Sequence, residues 1–338
     1  MKKSVLYIGN KLAKQGRTVS TIDSLSRLLE AEGYHVITAS SLKNKFFRMF
    51  DMLHTTFKHR KTTDLVLIDT YSTQNFYYAV AVAKLCRTLK IPYYTLLHGG
   101  NLPKRLDNSP KVSRKLFNGA KQNVSPSQYL LEAFRSKGYE NCVYIPNSIE
   151  LENYPYLLRK DLRPKLLWVR SFAEIYNPML AINALKKLLN NGVMATLTMI
   201  GPDKDGSLEK CKTEAEAQKL PVTFTGKLSK SEWISLAEDH DVFINTTNFD
   251  NMPVSIIEAM ALGLPVVSTK VGGIPFLIEN NKTGVLVSPN NVDAFAAALS
   301  HLLSSATLGE TLSVNGRSLA ETYDWEKVKS KWHVLLNE

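Results

Sequence analysis

The chain of 338 residues is too long for one typical hydrophobic core, so two domains are expected. Its 44% hydrophobic and 22% charged residues are ordinary for a globular protein. Residues 1–160 carry 25 Lys+Arg against 11 Asp+Glu, a net +14, whereas the remainder carries 17 against 20, a net −3. This asymmetry indicates a polyanionic partner for the first half, either nucleic acid or an anionic membrane leaflet; the alternative is that the charge merely keeps the chain soluble.

Neither a secretion signal nor a membrane span is expected. The opening MKKSVLYIGNKLAK is basic, but its apolar run of about five residues is shorter than a signal peptide requires. No stretch approaches the ~20 apolar residues of a spanning helix. Three cysteines, Cys86, Cys142 and Cys211, have no metal-site spacing and an odd count, which favours a reducing compartment. We therefore expect a cytoplasmic protein.

Short apolar runs rich in Val, Ile, Tyr and Thr alternate with helical patterns along the chain. Such unbroken runs are typical of strands covered on both faces, and hence of parallel sheets built from βαβ units. Two sets of six runs predict an α/β protein with two doubly wound, Rossmann-like domains facing a central cleft. The predicted strands are residues 5–9, 35–39, 64–69, 92–97, 122–125 and 143–146, then 165–169, 195–201, 222–226, 241–246, 265–269 and 284–287.

The segment NYPYLLRKDLRPK, residues 153–165, is rich in Pro, Tyr and charge and marks the domain boundary. We predict a first domain over residues 1–157 and a second over 158–322, followed by a helical segment at 323–338. In doubly wound sheets, ligands bind beyond the carboxyl ends of the strands, so the functional site is expected there.

Residues 43–61, KNKFFRMFDMLHTTFKHRK, are predicted to form an amphipathic helix. Its apolar side contains Phe46, Phe50, Leu53 and Phe57 at positions i, i+4, i+7 and i+11, and basic residues surround that side. A basic, aromatic amphipathic helix is typical of contact with anionic lipid. A core helix with a solvated basic face is the alternative, and the sequence leaves both open.

The segment NFDNMPVSIIEAMALGLPVVSTKVGG, residues 248–273, is predicted to run from a strand end through a loop and a helix to the next strand. Pro253 suits the start of a helix and Gly263 suits its left-handed end. Asp250 would then precede the helix, and Glu258 would lie inside it.

The start of this helix is expected to bind an anion, because its first N–H groups have no partner within the helix. A purely structural interpretation is also available. Asp250 or Asn251 would cap the helix, and Ser255 with Glu258 would form a capping box.

The pattern D-x7-E followed by AMALGLPVVSTKVGGIPFLIENNKTGVLV resembles the signature of retaining family 4 glycosyltransferases of the GT-B fold. Their pattern is E-x7-E, then A-M-A-x-G-x-P-V-V and G-G-x-x-E-x-I. The resemblance extends over nearly the whole chain, and the combination is specific although each piece is weak alone. Its other pieces are IGNKLAKQGRTVSTIDSLSRLL, HGGNLP, VSPSQYLLEAFRSKGY, IPNSIEL, WVRSFAEIYNP and GPDKDG.

By this resemblance, Glu258 would bind the ribose of a nucleotide donor and Asp250 would contact hydroxyls of the donor sugar. Asp250 is one methylene shorter than the family's usual Glu, which leaves its contact and the sugar identity open. The backbone between the two acids would hold the sugar and phosphate, through Asn251, Met252, Pro253 and Val254.

The departing nucleoside diphosphate needs charge stabilisation, and the resemblance implies that cationic side chains supply it without a metal ion. The family pattern G-R-x5-K falls near Arg170, displaced by one residue, and Asn177 stands where the Lys would be. Lys227, at another predicted strand end, is the candidate replacement, and an ordinary surface role is the alternative for Arg170. The DHD motif at 239–241 resembles a metal-binding D-x-D but precedes its strand, at the wrong end of the sheet for the donor.

In the first domain, the loop GNKLAKQG at 9–16 would close over the phosphates, with Gly9 and Gly16 allowing close backbone approach. An ordinary strand–helix turn is the alternative. The resemblance places His98 near the donor sugar, although a lone His after a strand is more often structural. It also implies that the helix at 323–338 packs on the first domain, with Trp325 and Trp332 as packing residues.

We therefore predict a retaining, metal-independent hexosyltransferase without a cofactor. Its substrates would be a nucleotide-sugar donor, expected to be a UDP-sugar, and a glycan or lipid-linked sugar acceptor in bacterial surface polysaccharide or lipopolysaccharide biosynthesis. We expect it in the cytoplasm, with residues 43–61 as a candidate contact to the inner face of the cell membrane, and we expect no nucleic-acid partner.

There are three alternatives to this function. A non-catalytic GT-B scaffold or nucleic-acid-binding protein and a nucleotide-sugar epimerase remain open. A nicotinamide-dependent oxidoreductase is disfavoured because GNKLAKQG lacks G-x-G-x-x-G. The sequence does not name the donor sugar, the acceptor, the linkage or the oligomeric state.

Overall fold

The computed structural model of the protein describes residues 2–15 and 19–337. The chain divides into two compact units, Met1–Pro146 with Lys331–Glu338 and Asn147–Ser330, here called unit 1 and unit 2. Residues 147–157 belong to unit 2, so the units divide earlier in the chain than the predicted boundary. Within the described ranges, no helix is long and apolar enough to cross a bilayer.

Unit 1 is built on a parallel six-stranded sheet in the order β2-β1-β3-β4-β5-β6. Its strands are β1 (Ser4–Ile8), β2 (His35–Ala39), β3 (Leu65–Tyr71), β4 (Tyr93–His98), β5 (Asn123–Ser125) and β6 (Cys142–Tyr144). Its helices are α1 (Thr21–Ala31), α2 (Lys45–Lys58), α3 (Phe76–Leu89), α4 (Leu102–Asn108), α5 (Pro110–Phe117) and α6 (Gln128–Arg135).

Unit 2 contains a second parallel six-stranded sheet, in the order β12-β11-β10-β7-β8-β9. Its strands are β7 (Lys165–Val169), β8 (Thr196–Ile200), β9 (Val222–Gly226), β10 (Val242–Asn245), β11 (Val266–Thr269) and β12 (Val285–Val287). Its helices are α7 (Pro178–Asn190), α8 (Ser207–Ala217), α9 (Lys230–Ala237), α10 (Val254–Ala261), α11 (Ile274–Leu277), α12 (Val292–Ser304) and α13 (Ala306–Glu321).

The last helix, α14 (Trp325–Asn337), begins in unit 2 and ends in unit 1. Trp325 and Trp332 are both buried. The Tyr94 hydroxyl donates to the Leu335 carbonyl at 3.3 Å, which fixes the end of the helix within unit 1.

All twelve predicted strands and the two doubly wound sheets are confirmed. Central strands such as β1 and β3 are buried along almost their whole length, as expected when apolar side chains point to both faces of a parallel sheet. Each sheet also has a point at which the strand order reverses. This switch point lies between β1 and β3 in unit 1 and between β7 and β10 in unit 2. Ligands of doubly wound sheets bind outside the carboxyl ends of the strands at such points.

Helix α2 forms within the predicted segment, and one of its basic residues departs from the prediction. Arg48, placed among the surrounding basic residues, is buried, and its guanidinium donates to the carbonyls of Leu42 and Lys43. Phe46, Phe47 and Phe50 are 73%, 66% and 64% exposed. The helix therefore turns an arginine inward and aromatic rings toward solvent.

Candidate active site

Two oppositely charged side chains lie at the switch point of unit 2. Arg170 directly follows β7, and Asp250 lies in the loop after the neighbouring strand β10; the two form an ion pair. The Arg170 guanidinium lies 4.8 Å from the centre of the Tyr176 ring. Its Nε–H is buried and has no hydrogen-bond partner among the described residues. Arg170 is therefore a partly buried cation with one donor to spare, not an ordinary surface residue.

The backbone that carries Asp250 is held against a pair of glycines. The Gly273 N–H donates to the Asp250 carbonyl at 2.9 Å. A Cβ added at Gly272, whose φ is +52°, would lie 2.0 Å from the Asp250 oxygen, and one at Gly273 would lie 1.9 Å from the Asn251 oxygen. Since neither contact tolerates a side chain, the Gly-Gly pair after β11 sets the position of the loop.

Glu258 is buried in the second turn of α10. Its Oε1 accepts a hydrogen bond from the Tyr154 hydroxyl at 2.9 Å and forms an ion pair with Lys230 at the start of α9. Burial, followed by the Glu258 charge, raises the pKa of Tyr154, so this phenol stays protonated and donates. Both contacts converge on one oxygen and hold the carboxylate in a fixed orientation.

The three charged groups of unit 2 form one cluster. Burial lowers the pKa of Arg170, and electrostatic interactions with Tyr176 and Glu258 partly oppose that shift. Glu258 therefore acts electrostatically on the same guanidinium that pairs with Asp250. Two carboxylates and a cation at a sheet's switch point can bind a ligand that carries both hydroxyl groups and negative charge.

The capping interpretation of this segment is not supported. The residue before the first turn of α10 is Pro253, and no side chain caps the helix there. Asp250 Oδ1 instead accepts from the Asn251 N–H at 2.7 Å. Ser255, in the first turn, has a buried hydroxyl without a hydrogen-bond partner in the described chain. The Ser255 hydroxyl, beside Val254 at the start of α10, could therefore donate a hydrogen bond to a ligand.

Met252 of the predicted site and Asn177, which stands where the family's Lys would be, are positioned by structural contacts. Asn177 caps α7, accepting from the Leu180 N–H at 3.3 Å, and its amide donates to Asn290 at 2.8 Å. Met252 is buried, and its carbonyl accepts from the Asn147 amide at 3.4 Å.

A lysine outside the predicted set contacts the cluster. Lys227 is an exposed residue directly after β9, whereas Lys230 reaches Glu258. Lys230 is thus a cation of this cluster that was not predicted from the sequence.

Unit 1 has its own polar cluster at its switch point. Gly9 directly follows β1, and a Cβ there would lie 2.3 Å from Asp69 Oδ2 in β3. His98 ends β4, and its Nε2 lies 2.7 Å from Asp69 Oδ1. Glycine at position 9 is therefore required by a buried carboxylate. Gly16, the second glycine predicted for this loop, lies outside the described residues.

The DHD motif has a structural explanation. Asp241 immediately precedes β10, and its carboxylate accepts from the Arg163 side chain at 2.7 and 3.0 Å. Across residues 2–15 and 19–337, no three His, Cys, Asp or Glu side chains are grouped so that they could hold a metal ion.

Comparison with known proteins identifies part of the chain. Residues 163–305 match the family model described as glycosyl transferases group 1. This segment is similar to the group 1 glycosyl transferases. It contains the Arg170, Asp250 and Glu258 cluster, and the resemblance predicted from the sequence is confirmed at this level.

Two curated relatives match parts of the chain that differ in length. The amylovoran biosynthesis glycosyltransferase AmsK of Erwinia amylovora is 28% identical over 244 residues, covering 68% of this chain and 60% of the relative. The sulfoquinovosyl transferase SQD2 of Arabidopsis thaliana is 31% identical over 156 residues, covering 45% of this chain and 29% of the relative. The chain thus spans 29% to 60% of the length of these relatives.

A solved structure matches the fold of the whole chain, including residues 163–305. HepE from Anabaena, in complex with UDP, has a TM-score of 0.76 at 17% identity, covering 99% of each chain. The protein therefore has the GT-B fold, as predicted.

Proposed function

We propose that the protein is a retaining glycosyltransferase of family 4 that takes its sugar from a UDP-sugar. The observation that carries this proposal is the cluster of Arg170, Asp250 and Glu258 at the switch point of unit 2. Glu258 would bind the ribose through the carboxylate that Tyr154 and Lys230 orient. HepE, which shares the fold, is described as a complex with UDP.

The ion pair between Arg170 and Asp250 suggests how the donor binds. A nucleoside diphosphate presents more negative charge to Arg170 than one carboxylate does, so it would take over the guanidinium. Asp250 would then be released to accept hydrogen bonds from the sugar hydroxyls. The Nε–H of Arg170 and the Ser255 hydroxyl have no hydrogen-bond partner within residues 2–15 and 19–337, and both would donate to phosphate oxygens.

The proposed chemical step needs no protein nucleophile. The acceptor oxygen forms a bond to the anomeric carbon on the face from which the diphosphate departs. The bond from that carbon to the phosphate oxygen breaks, and the acceptor proton passes to the departing oxygen. Positioning and charge stabilisation by Arg170 supply the catalysis, without a metal ion.

The proposed acceptor is a sugar hydroxyl of a glycan or of a lipid-linked saccharide in bacterial surface polysaccharide synthesis. AmsK is described as an amylovoran biosynthesis glycosyltransferase, and it covers the larger share of this chain of the two curated relatives. The proposal for this chain extends that description to the same class of reaction, with the donor sugar and linkage open.

We also propose that unit 1 docks on an anionic lipid surface through α2. The exposed rings of Phe46, Phe47 and Phe50 are joined by Phe57, which is 50% exposed. An apolar face of this size is costly in water, and the net charge of +14 over residues 1–160 matches an anionic leaflet. The enzyme would then act at the inner face of the cell membrane.

Vesicle sedimentation tests this docking surface. The protein should bind vesicles containing half phosphatidylglycerol, and binding should fall with salt and on pure phosphatidylcholine. The double variant Phe46→Ser with Phe50→Ser should bind vesicles at least about ten-fold more weakly. Transfer of each ring from water into the membrane contributes roughly 1.5–3 kcal/mol to binding. Met194→Ser, at a residue 80% exposed in unit 2, is the matched control. Equal binding by the two variants would contradict the proposal.

Turnover tests the enzymatic function. The protein is incubated with a panel of UDP-sugars and chelator, with and without simple glycosides, and UDP and products are followed by NMR. UDP should be released, and the transferred sugar should have the same anomeric configuration in the product as in the donor. An inverted product would contradict retention, an epimerised donor without UDP release would indicate an epimerase, and a folded but inactive protein would favour the scaffold interpretation.

A further inference from the structure

The side chain of Asp69 is fully buried at the carboxyl end of β3 in unit 1. Its Oδ1 accepts from the Tyr7 hydroxyl at 2.8 Å and lies 2.7 Å from His98 Nε2. Its Oδ2 has no hydrogen-bond partner among the described residues. Burial of a carboxylate is costly unless it is well partnered, so a group this poorly satisfied calls for an explanation beyond folding.

The contact with Asp69 determines which nitrogen of His98 is available. An ionised carboxylate only accepts hydrogen bonds, so Nε2 must carry the proton that it donates to Oδ1. In the neutral ring, Nδ1 is then the acceptor. Nδ1 has no hydrogen-bond partner in the described part of the chain, and the His98 side chain keeps 14% of its surface exposed.

The ring plane of His98 is fixed as well as its proton. Tyr71 stacks on the imidazole, with 4.9 Å between ring centres and 26° between planes. The Tyr7 hydroxyl holds the same carboxylate oxygen from another strand. Burial, followed by the Asp69 charge, raises the pKa values of Tyr7 and Tyr71, so both phenols remain neutral.

Gly9 completes the arrangement. Any larger residue would place its Cβ 2.3 Å from Asp69 Oδ2 and push the carboxylate away from the imidazole. The chain therefore brings Gly9, Asp69 and His98 together from β1, β3 and β4, three neighbouring strands at the switch point of this sheet.

We propose that Asp69 is the positioning residue for His98, holding Nε2–H so that Nδ1 faces a sugar hydroxyl. This inference rests on the proposed function, in which His98 contacts the donor sugar. Asp69 touches no substrate and acts only through the imidazole. Neutral Nδ1 would accept a hydrogen bond from the hydroxyl and hold the sugar in its reactive orientation.

A double-mutant cycle tests this role in the full chain. Asp69→Asn keeps the shape of the side chain but removes its charge, and kcat should fall about 10- to 100-fold through misplacement of the ring. In a His98→Gln background the same change should alter kcat by no more than about two-fold, because the ring that Asp69 positions is gone. UDP affinity should be unchanged by Asp69→Asn, since Arg170 and Glu258 supply that contact. Equal losses in the two backgrounds would overturn the proposal.

A readout that needs no activity accompanies the cycle. In ¹⁵N-histidine-labelled protein at alkaline pH, the His98 signals, assigned by their loss in His98→Gln, should show Nε2 protonated and Nδ1 not. A ring protonated on Nδ1 would overturn the proposal whatever the enzyme does. A correct tautomer in a protein without turnover would support the pairing and refute the proposed function instead.

Discussion

Replacing Gly273 by alanine should impair ligand binding through a backbone displacement that the structure specifies. The φ of Gly273 is −84°, which any residue adopts, so the substitution introduces no backbone strain. The new Cβ would lie 1.9 Å from the Asn251 carbonyl oxygen, whereas real Cβ atoms come no closer than 3.0 Å. The loop must therefore move by 3.0 − 1.9 = 1.1 Å, carrying Asp250 with it.

The two consequences of this displacement differ in size. Overpacking of this kind costs about 1–3 kcal/mol in the free energy of unfolding, which leaves a protein of ordinary stability folded. Loss of one charge-assisted hydrogen bond between the displaced loop backbone and a phosphate oxygen, about 1.5–3 kcal/mol, should weaken UDP binding roughly 10- to 100-fold. Calorimetric titration with UDP and urea denaturation measure the two effects separately.

Gly192→Ala is the matched control for this variant. Gly192 has a φ of +82°, and nothing lies within 4 Å of an added Cβ. The substitution should cost about 1–2 kcal/mol of stability through left-handed strain while leaving UDP affinity unchanged. Equal UDP affinities for Gly273→Ala and Gly192→Ala would refute the assignment of the 250–251 loop to the donor site.

Three further predictions concern groups outside the site. Burial lowers the pKa of His240, so the unfolded chain binds more protons than the folded chain below pH 6.5. The free energy of unfolding, measured in urea, should therefore fall as the pH drops from 6.5 toward the folded pKa. An equally steep pH profile in His240→Gln would contradict this. Burial raises the pKa of Cys142 to about 11 and those of Cys86 and Cys211 to about 12, so iodoacetamide at pH 8 should label none of them before urea is added, and rapid native labelling would disprove it. Asp241→Asn should cost about 1 kcal/mol of stability, because half-exposed Arg163 loses its partner. The same variant should leave UDP affinity unchanged. A metal requirement that is lost in this variant would show that the DHD motif is functional.

The sheets could be predicted from local patterns because their strands are covered on both faces. An unbroken run such as VLYI in β1 is too short for a buried helix and is followed by a helical pattern, which leaves a parallel strand as the consistent solution. Gly263 ends α10 in the left-handed conformation for the same local reason, since only a residue without Cβ adopts φ +80° without cost.

The partners of the site residues could not be predicted, because they depend on contacts between distant segments. Lys230 and Tyr154 reach Glu258 from positions 28 and 104 residues away in the chain. Asp69 lies within an apolar strand pattern, and only its place beside Gly9 and His98 distinguishes it. A carboxylate inside the run DLVLID was the one available signal.

The orientation of α2 shows the limit of periodicity. Its spacing predicts an apolar side and basic surroundings, but it does not say which side faces the protein. Arg48 turns inward because carbonyls of the preceding loop, at Leu42 and Lys43, accept its N–H groups. That placement leaves Phe46 and Phe50 in solvent.

The central claim is that the cluster of Arg170, Asp250 and Glu258 binds a nucleoside diphosphate without a metal ion. Calorimetric titration of the protein with UDP, GDP, ADP and TDP, each in the presence of EDTA, tests it most directly. The account predicts selective binding of UDP that is insensitive to EDTA and is lost in Glu258→Ala, with the folding of that variant verified by its thermal transition. A well-folded protein that binds none of the four, or binds UDP equally well without Glu258, would contradict it.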